Sequence, residues 1–366
     1  MVKAPAVEKP ASAEDVAKRL REAADAGLAV VPVGGGRASA MGDAPERCDI
    51  ELHTSRLDRV LEHSQGDMVV SVEAGIKLET LQAQLGKAGQ FLPLDPFNSP
   101  GHTIGGLLAT GWSGPLRLRF GTPRDFLIGI RVALPDGRLA SAGGRVVKNV
   151  SGYDMMKLHV GALGSLGVIV AASFKVFPTP LHDVTVEATH DSWVGALDAS
   201  EHALALPLPP AALELFSTGR VLARFLGSRD AVERMVAELG WPKANPSAWT
   251  EHSRRAPETW ARIAIPRHKL RETLIQLPSG AEWWASPGVG VVNWSIAGGT
   301  DKLDKVREVR AASESAGGSL VLMAASDDVR SRLGAWGTPP ATLELMQRLK
   351  TAFDPHRVLN PGRFVV

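Results

Sequence analysis

The feature that most constrains this chain is a buried-strand pattern that ends in three successive glycines. Residues 29–33 read AVVPV, and glycines occupy positions 34–36. Glycine adopts positive φ angles without a Cβ clash and lets another group approach the backbone closely. Consecutive N–H groups in such a turn form a concave site for anionic oxygens, and Arg37 and Ser39 add a cation and a hydroxyl. The segment indicates a phosphate or pyrophosphate loop, with an ordinary glycine-rich turn as the alternative.

This loop matches neither of two widespread phosphate-binding motifs. A Rossmann G-x-G-x-x-G fingerprint needs glycine or alanine at the position that Ser39 occupies. A Walker A loop needs Gly-Lys followed by Ser or Thr, and no such sequence follows Gly36. The segment is therefore a different kind of anion loop, or a turn.

Length and charge narrow the class of protein. The chain has 366 residues, which is enough for two or three domains of roughly 150 residues each. Hydrophobic residues make up 44% of the chain and charged residues 22%, as in ordinary globular proteins. The formal net charge is only +2 and no basic block stands out, so nucleic-acid binding is unsupported.

Cysteine usage and hydropathy indicate a cytoplasmic chain that holds no iron–sulfur cluster of its own. Cys48 is the only cysteine, which excludes internal disulfides and a cluster on four cysteine ligands. No window reaches the ~18 apolar residues of a transmembrane helix, and the N-terminus lacks an apolar signal core. We therefore expect a cytoplasmic protein that associates with a membrane only through partners.

Hydrophobic patterning predicts a first domain over residues 1–180. Ser12 and Asp15 form a capping box for a helix that runs to about Gly27. Further on, the turn at 135–137 reads PDG and predicts a β-hairpin. The early strands and helix suggest a small β–α–β unit that presents the glycine loop, with strands at 29–33, 50–53 and 68–73 and a helix at 78–88.

Beyond residue 181 the composition shifts, and most of the tryptophans lie there. The expected order of strand, helix, two strands and helix occurs twice and is followed by one more strand. This order predicts an α+β second domain over residues 181–340. A last helix at 341–351 and the tail form residues 341–366, which we expect to pack on the first domain. We interpret the tryptophans as an interface with partner subunits.

Two more glycine-rich tracts could approach the same ligand as the first loop. Residues 99–106 read SPGHTIGG, and residues 161–169 read GALGSLGVI. Together with the first loop, these segments resemble the FAD-binding subunits of the vanillyl-alcohol-oxidase/PCMH flavoprotein superfamily. The motifs that carry the resemblance are VPVGGGRAS, GHTIGG, FGTPRDF, KNVSGYDMMKL, GALGSLGVI and FDPHRVLNPGR.

Within that superfamily the chain looks most like the FAD-binding E subunits of bacterial glycolate oxidases. The resemblance implies an α+β fold with a two-part PCMH-type FAD-binding domain, a smaller α+β cap domain and a C-terminal tail that returns to the FAD domain. It also implies that the first loop binds the pyrophosphate, the second tract the ribityl and pyrophosphate groups, and the third tract the adenine half. The cofactor-binding residues carried over in this way are Pro32, Gly34, Gly35, Gly36, Arg37, Ala38, Ser39, Gly101, His102, Thr103, Ile104, Gly105, Gly106, Gly164, Ser165, Leu166, Gly167, Val168, Ile169 and Asn360.

Histidines separate this chain from several members of the superfamily. Some members tether FAD through a histidine in the first loop, which has none here, so we expect noncovalent FAD. His102 could cap the backbone or act in catalysis. Catalytic relatives carry an H-x-G-D-x-N-x-H motif in the second domain, and no two histidines beyond residue 181 have that spacing. We therefore predict no metal site and assign no catalytic residue.

The resemblance implies that FAD in this chain serves the oxidation of glycolate or a related small 2-hydroxy acid. A base would take the hydroxyl proton while a hydride passes from C2 to the flavin. The implied partners are a second flavoprotein subunit and an iron–sulfur subunit that receives the electrons. Two alternatives stay open, namely a non-catalytic flavin-binding scaffold or electron relay, and a stand-alone FAD-dependent oxidase of another alcohol.

Several polar residues near the third tract have two possible roles each. Tyr153 and Asp154 could line the flavin site or end a strand in a loop. Lys148 and Asn149 could contact the flavin or the substrate, or be solvated. The tail 360–363, NPGR, could contact the cofactor edge or form a simple turn.

Overall fold

The computed structural model describes residues 5–144, 154–297 and 303–366 of the chain. Elements are numbered here in chain order. A small parallel sheet with the strand order β1-β3-β2 opens the fold. Helix α1 precedes β2, and Ser12 caps it by accepting a hydrogen bond from the Asp15 N–H. These elements are β1 (Ala6–Glu8), α1 (Ala13–Asp25), β2 (Val30–Val33) and β3 (Ile50–His53).

A second, five-stranded antiparallel sheet has the order β4-β5-β9-β7-β8. The predicted hairpin at 135–137 is confirmed, because β7 pairs with β8 and Gly137 has a φ of 81°. Its strands are β4 (Val60–Ser64), β5 (Val69–Glu73), β7 (Leu127–Ala133), β8 (Leu139–Gly143) and β9 (Val168–Lys175). Around it lie α2 (Leu78–Gly86), α3 (Ile104–Thr110), α4 (Arg117–Phe120), α5 (Pro123–Phe126) and α6 (Met156–His159), with the short pair β6 (Gln90–Phe91) and β10 (Phe177–Pro178). We call these two sheets and their helices the first domain.

The predicted β–α–β unit around the glycine loop is wrong. Strand β2, which leads into the loop, pairs with β3 in the parallel sheet. Strand β5 and the helix that follows it belong to the antiparallel sheet instead. Sequence order suggested one unit, but the long connection between β3 and β5 carries β4 and allows the chain to change sheets.

The second domain is a seven-stranded antiparallel sheet with the order β11-β13-β12-β15-β16-β14-β17. Its strands are β11 (His182–Thr189), β12 (Ala212–Phe216), β13 (Arg220–Gly227), β14 (Trp260–Ala264), β15 (Trp283–Ser286), β16 (Val291–Ser295) and β17 (Ser319–Ala324). Its helices are α7 (Trp193–Leu204), α8 (Arg229–Leu239), α9 (Ala248–Ser253), α10 (Leu270–Gln276), α11 (Leu303–Ser315) and α12 (Asp327–Leu333), with 3-10 turns at Arg267–Lys269 and Pro287–Val289. The first six strands read as two halves, β11-β13-β12 and β15-β16-β14, whose orders mirror each other about the central β12–β15 pair. This mirror order agrees with the duplication that the sequence suggests.

The two faces of the second sheet have different neighbours. Ala261, Ile263 and Trp294 point to the second domain's own helices and form one core with them. Trp260 and Trp284, from alternate positions, belong to the core shared with the first domain. The expected partner interface is therefore wrong for Trp260, Trp283, Trp284 and Trp294, which are at most 4% exposed and pack inside the chain.

The C-terminal tail returns to the first domain. Helix α13 (Leu343–Phe353) ends, and Leu359 then pairs with Val30 as a short parallel extension of the first sheet. Two backbone hydrogen bonds flank this pair, from the Val30 N–H to the Val358 carbonyl and from the Asn360 N–H to the Val30 carbonyl. Between β10 and β11 the chain passes from the first domain to the seven-stranded sheet of the second domain. The domain boundaries at residues 180 and 340 stay predictions.

A buried ion pair fixes the turn between α13 and the tail. Lys350, only 5% exposed, donates to the Asp354 Oδ2 at 2.6 Å and to the carbonyls of Ser165 and Leu359. Asp354 also accepts the N–H groups of Val358 and Leu359. Burial lowers the pKa of Lys350, and Asp354 opposes that change.

Replacing Lys350 by methionine should lower the free energy of unfolding by about 3 kcal/mol, because it leaves the Asp354 carboxylate buried without its cation. The matched control is Lys18→Met, which breaks an exposed contact with Glu22 at 3.9 Å on α1 and should change the free energy by less than about 0.5 kcal/mol. Urea unfolding of both variants measures the difference. Equal effects of the two substitutions would show that the ion pair does not fasten the tail.

Candidate functional site

A cleft of about 280 Å³ lies between the first sheet and helix α3. The glycine loop after β2 forms one wall, and α3 with the two residues before it forms the other. The tail closes one end through Arg363, and Leu163 contributes from the third glycine tract. The cleft therefore brings together segments from four distant parts of the chain.

The first loop presents free hydrogen-bond donors. Among the described residues, no acceptor bonds to the backbone N–H groups of residues 34–38. Gly36 has a φ of 71°, and the Ser39 N–H turns back to the Gly36 carbonyl. Unpaired N–H groups that follow one another in a turn bind anionic oxygens, so this wall of the cleft suits a phosphate or pyrophosphate group.

The first and second glycine tracts touch each other directly. A Cβ on Gly35 would lie 1.9 Å from the Gly101 carbonyl oxygen, and a Cβ on Gly34 would lie 2.2 Å from the Thr103 Oγ1. Thr103 is fixed in turn, because its hydroxyl caps α3 by accepting from the Gly106 N–H. Glycine is required at position 35 because the obstacle is backbone and cannot rotate away.

Arg363 holds the first loop from the tail side. Its Nη2 donates to the carbonyls of Ala38 and Ser39 at 2.8 and 2.9 Å, and its Nε donates to the Met41 carbonyl at 3.2 Å. Burial lowers the pKa of this guanidinium, with Arg330 as the smaller cause. Because it makes no ion pair among the described residues, Arg363 leaves positive charge at the edge of the cleft.

The residues predicted to bind the cofactor divide into two groups. The first group lines the cleft and consists of Pro32, Gly34, Gly35, Gly36, Arg37, Ala38, Ser39, His102, Thr103 and Gly106. The second group stands outside its lining and consists of Gly101, Ile104, Gly105, Gly164, Ser165, Leu166, Gly167, Val168, Ile169 and Asn360. Four residues of the second group pack in the interior and not on the cleft. Ile104, Val168 and Ile169 are core residues, and a Cβ on Gly105 would lie 2.9 Å from the Ala74 Cβ.

Asn360 joins the tail to the third tract next to the cleft. Its Nδ2 donates to the Leu163 carbonyl at 2.6 Å, and its Oδ1 is buried with no partner among the described residues. Gly164 packs between Asn360 and Pro32.

The predicted residues Lys148, Asn149 and Tyr153 lie outside the described residues, and Asp154 forms an ion pair with Lys157 at 2.9 Å.

His102 is a positioned, buried side chain. Its Nε2 hydrogen-bonds the Phe97 carbonyl at 2.7 Å, and its ring meets Trp112 edge-on. Burial lowers the pKa of His102, and Arg37 lowers it further. The backbone-capping role, one of the two readings of this histidine, matches these contacts.

Some cleft residues give no signal in the sequence. Pro45, Cys48, Glu51, Ala109 and Thr110 also line it. Cys48 and Glu51 lie beside and on β3, and the others flank glycine-rich segments without a motif of their own. The parallel pairing of β2 with β3 brings Cys48 and Glu51 to the cleft, whereas Ala109 and Thr110 reach it on α3.

A second, larger cleft of about 680 Å³ opens between the two domains. Asp95 lines it from the first domain, with a buried Oδ1 that has no partner among the described residues. Burial raises the pKa of Asp95 to about 8. From the second domain, His252 lines the cleft and contacts the fully buried Glu214 at 3.2 Å. Neither residue was singled out from the sequence, because the cleft forms only when the domains meet.

Residues 5–144, 154–297 and 303–366 lack two kinds of feature. No group of three or more His, Cys, Asp or Glu side chains there converges as metal ligands would. No helix within those ranges has the length and apolarity needed to cross a membrane.

Comparison with known families and proteins places this fold and cleft in one class. The FAD binding domain family matches residues 4–143, and the C-terminal domain of FAD linked oxidases matches residues 305–364. The chain is 30% identical to "Glycolate oxidase subunit GlcE" of Escherichia coli K12 over 321 residues, 86% of each chain. The chain belongs to the FAD-linked oxidoreductases with a PCMH-type FAD-binding domain, and FAD is its cofactor. The match to that glycolate oxidase subunit spans most of both chains.

Two further relatives are matched over less than half of their own length. The mitochondrial cytochrome-type D-lactate dehydrogenase of Arabidopsis thaliana is 34% identical over 52% of this chain and 33% of its own. "Glycolate oxidase subunit GlcD" of Bacillus subtilis is 29% identical over 59% of this chain and 46% of its own. An alkyldihydroxyacetonephosphate synthase structure has the same fold, with a TM-score of 0.74, 18% identity and coverage of 97% of this chain and 75% of its own. The expected superfamily and fold class are confirmed.

The contact between the two glycine tracts gives a test of the cradle. Replacing Gly35 by alanine should weaken FAD binding at least about tenfold, because the new methyl group pushes the loop away from Gly101. Titration of the apoprotein with FAD, followed by flavin fluorescence, measures the change. The control is Gly66→Ala, where nothing lies within 4 Å of the added Cβ.

Wild-type FAD affinity in the Gly35→Ala variant would contradict the cradle. Loss of affinity in both alanine variants would also contradict it, because the effect would then not depend on this contact.

Proposed function

We propose that this chain is the FAD-binding subunit of a complex that oxidises glycolate or a related small 2-hydroxy acid. The observation that carries the proposal is the match to a glycolate oxidase subunit over 86% of both chains. A match to a second glycolate oxidase subunit and one to a D-lactate dehydrogenase support the substrate class. The partners we propose are a second flavoprotein subunit and an iron–sulfur subunit.

FAD fits the residues that form the first cleft. The free N–H groups of residues 34–38 and the guanidinium of Arg363 would hold the pyrophosphate, since both favour negative oxygens. Thr103 would support the same loop. The Asn360 Oδ1, which has no hydrogen-bond partner among the described residues, would accept a hydrogen bond near the third tract. Bound FAD supplies a two-electron acceptor, and the redox chemistry is the cofactor's own. With no histidine between residues 31 and 42, we propose that FAD is held noncovalently.

Electron balance requires an acceptor that reoxidises the flavin, and we propose that a partner subunit supplies it. Oxidation of a 2-hydroxy acid to a 2-oxo acid releases two electrons and two protons. Because Cys48 is the only cysteine, the chain cannot hold a cluster on four cysteine ligands, so electrons would leave through an iron–sulfur subunit. We propose a cytoplasmic location, with any membrane contact made by the partner subunits.

A second candidate function is a flavin-binding scaffold or electron relay without its own substrate chemistry. The H-x-G-D-x-N-x-H pattern is missing from the sequence, and His102 already bonds a carbonyl through its Nε2. In that case the partner flavoprotein subunit would oxidise the substrate, and this chain would carry electrons or stabilise the assembly.

Anaerobic visible spectroscopy of the chain purified with its partners tests the proposal. Addition of glycolate should bleach the flavin band, whereas acetate, which lacks the hydroxyl group, should leave it unchanged. The same complex carrying Gly35→Ala should lose the flavin of this chain and its share of the bleaching. A spectrum that stays oxidised with glycolate and D-lactate contradicts 2-hydroxy acid oxidation, and full turnover by the Gly35→Ala complex favours the scaffold.

A further inference from the structure

The inner face of the second sheet carries an unusual set of polar side chains where it meets the first domain. Residues of adjacent strands form a row across this face, because Arg262 is paired with Asn293 and Asn293 with Trp284. Trp260 lies two residues before Arg262 on the same strand face, and its ring is 5.7 Å from Trp112 of the first domain. Neighbouring strands are about 5 Å apart, so the row spans only ~10 Å.

Four donors at this junction have no hydrogen-bond partner among the described residues. They are the indole Nε1 atoms of Trp112 and Trp284, the Ser113 hydroxyl and the Asn293 Nδ2, all buried. A buried donor left unsatisfied costs roughly 1–3 kcal/mol. Several such donors on one small surface are expected where a ligand with acceptor oxygens completes their hydrogen bonds.

The same row contains a cation, Arg262, that forms no ion pair among the described residues. The side chain of Arg262 donates from its Nε to the Asn293 Oδ1 at 3.3 Å, and no carboxylate of the described residues forms an ion pair with it. Burial lowers the pKa of Arg262 to about 10, and the nearby Arg117 lowers it as well, while Glu214 opposes the change. Arg117 likewise makes no ion pair among the described residues. The carboxylate that acts on Arg262 is Glu214, whose two oxygens already bond His252 and Ser286. A bound anion would therefore stabilise the two arginines further.

We propose that Arg262 and Asn293, with the neighbouring donors of Trp112, Ser113 and Trp284, bind the carboxylate of a small 2-hydroxy acid. Arginine suits this ligand because its planar fork binds both oxygens of a carboxylate. The site contains several donors, and the nearby carboxylate of Glu214 is already bonded to His252 and Ser286, so the site favours an anionic substrate over a neutral alcohol. This inference rests on the proposed function, since it names the part of the chain that recognises the acid group.

Oxalate is the probe, because it carries the carboxylate and cannot be oxidised as a 2-hydroxy acid. Calorimetric titration of the FAD-loaded chain with oxalate should show binding, and Arg262→Met should weaken it at least about tenfold, the loss of one charge-assisted hydrogen bond. The control is Arg254→Met, an exposed arginine of the same domain, which should bind oxalate as the wild type does.

Asn293→Asp provides an independent variant of the same size. Its new carboxylate would lie beside Arg262 and take the place of the bound anion. Oxalate binding should therefore be lost, and the melting temperature without ligand should rise, because the arginine gains a permanent partner. A purely structural Asn293 predicts the opposite, a lower melting temperature with oxalate binding retained.

The outcomes separate this inference from the proposed function. Equal oxalate binding by the wild type and Arg262→Met, or no binding by the wild type, overturns the carboxylate site. Binding that depends on Arg262 supports the site even where glycolate fails to bleach the flavin of the complex. If glycolate bleaches the flavin but neither Arg262→Met nor Asn293→Asp weakens oxalate binding, the proposed function stands and the carboxylate site is rejected.

Discussion

The contact of Arg363 with the first glycine loop is the interaction on which the cofactor cleft depends. One guanidinium, 8% exposed, fixes three carbonyl groups of the loop, those of Ala38, Ser39 and Met41. Hydrogen bonds from a charged donor are worth roughly 1.5–3 kcal/mol each, so the loop is held far more firmly than a free glycine-rich turn. This contact also joins the two regions that match known families, because the loop belongs to residues 4–143 and Arg363 to residues 305–364.

The tail can reach the loop because the rest of the chain guides it there. Lys350 and Asp354 fix the end of α13, and Leu359 then extends the first sheet beside Val30. The second domain packs its Trp260 and Trp284 face on the first domain. The same packing creates the buried row around Arg262. Cofactor binding and recognition of the acid group are thus parts of one arrangement of two domains and a tail.

The sequence predicted most elements of this fold but not their partners. Strands with strong apolar patterns, helix caps such as Ser12 and the PDG hairpin were readable because each depends on residues close together in the chain. The sheet that a strand joins depends on distant pairing, and for this reason the predicted β–α–β unit was wrong. Tryptophans were expected at a partner surface, yet Trp283 and Trp294 fill the second domain's own core, since size and hydrophobicity alone do not reveal which face of a strand is buried.

The candidate site was likewise predictable only where a feature depends on residues close together in the chain. Glycines 34–36 could be predicted as part of the site because glycine allows the close contacts at positions 34 and 35 and the positive φ at position 36. Ile104, Val168 and Ile169 belong to the same motifs but face the core, a distinction that only the strand and helix directions settle. Arg262 and Arg363 resemble any other arginine in the sequence, and their roles appear only when distant segments surround them.

The most direct measurement is the FAD affinity of an Arg363→Lys variant of the full chain, with circular dichroism as a check on the fold. Lysine keeps the charge but cannot donate to three carbonyls in the fork geometry of arginine. The account predicts a folded protein whose affinity for FAD falls at least about tenfold, because the loop loses its anchor while the charge remains. A folded variant with wild-type affinity would contradict it, since the cleft would then form without the contact between tail and loop.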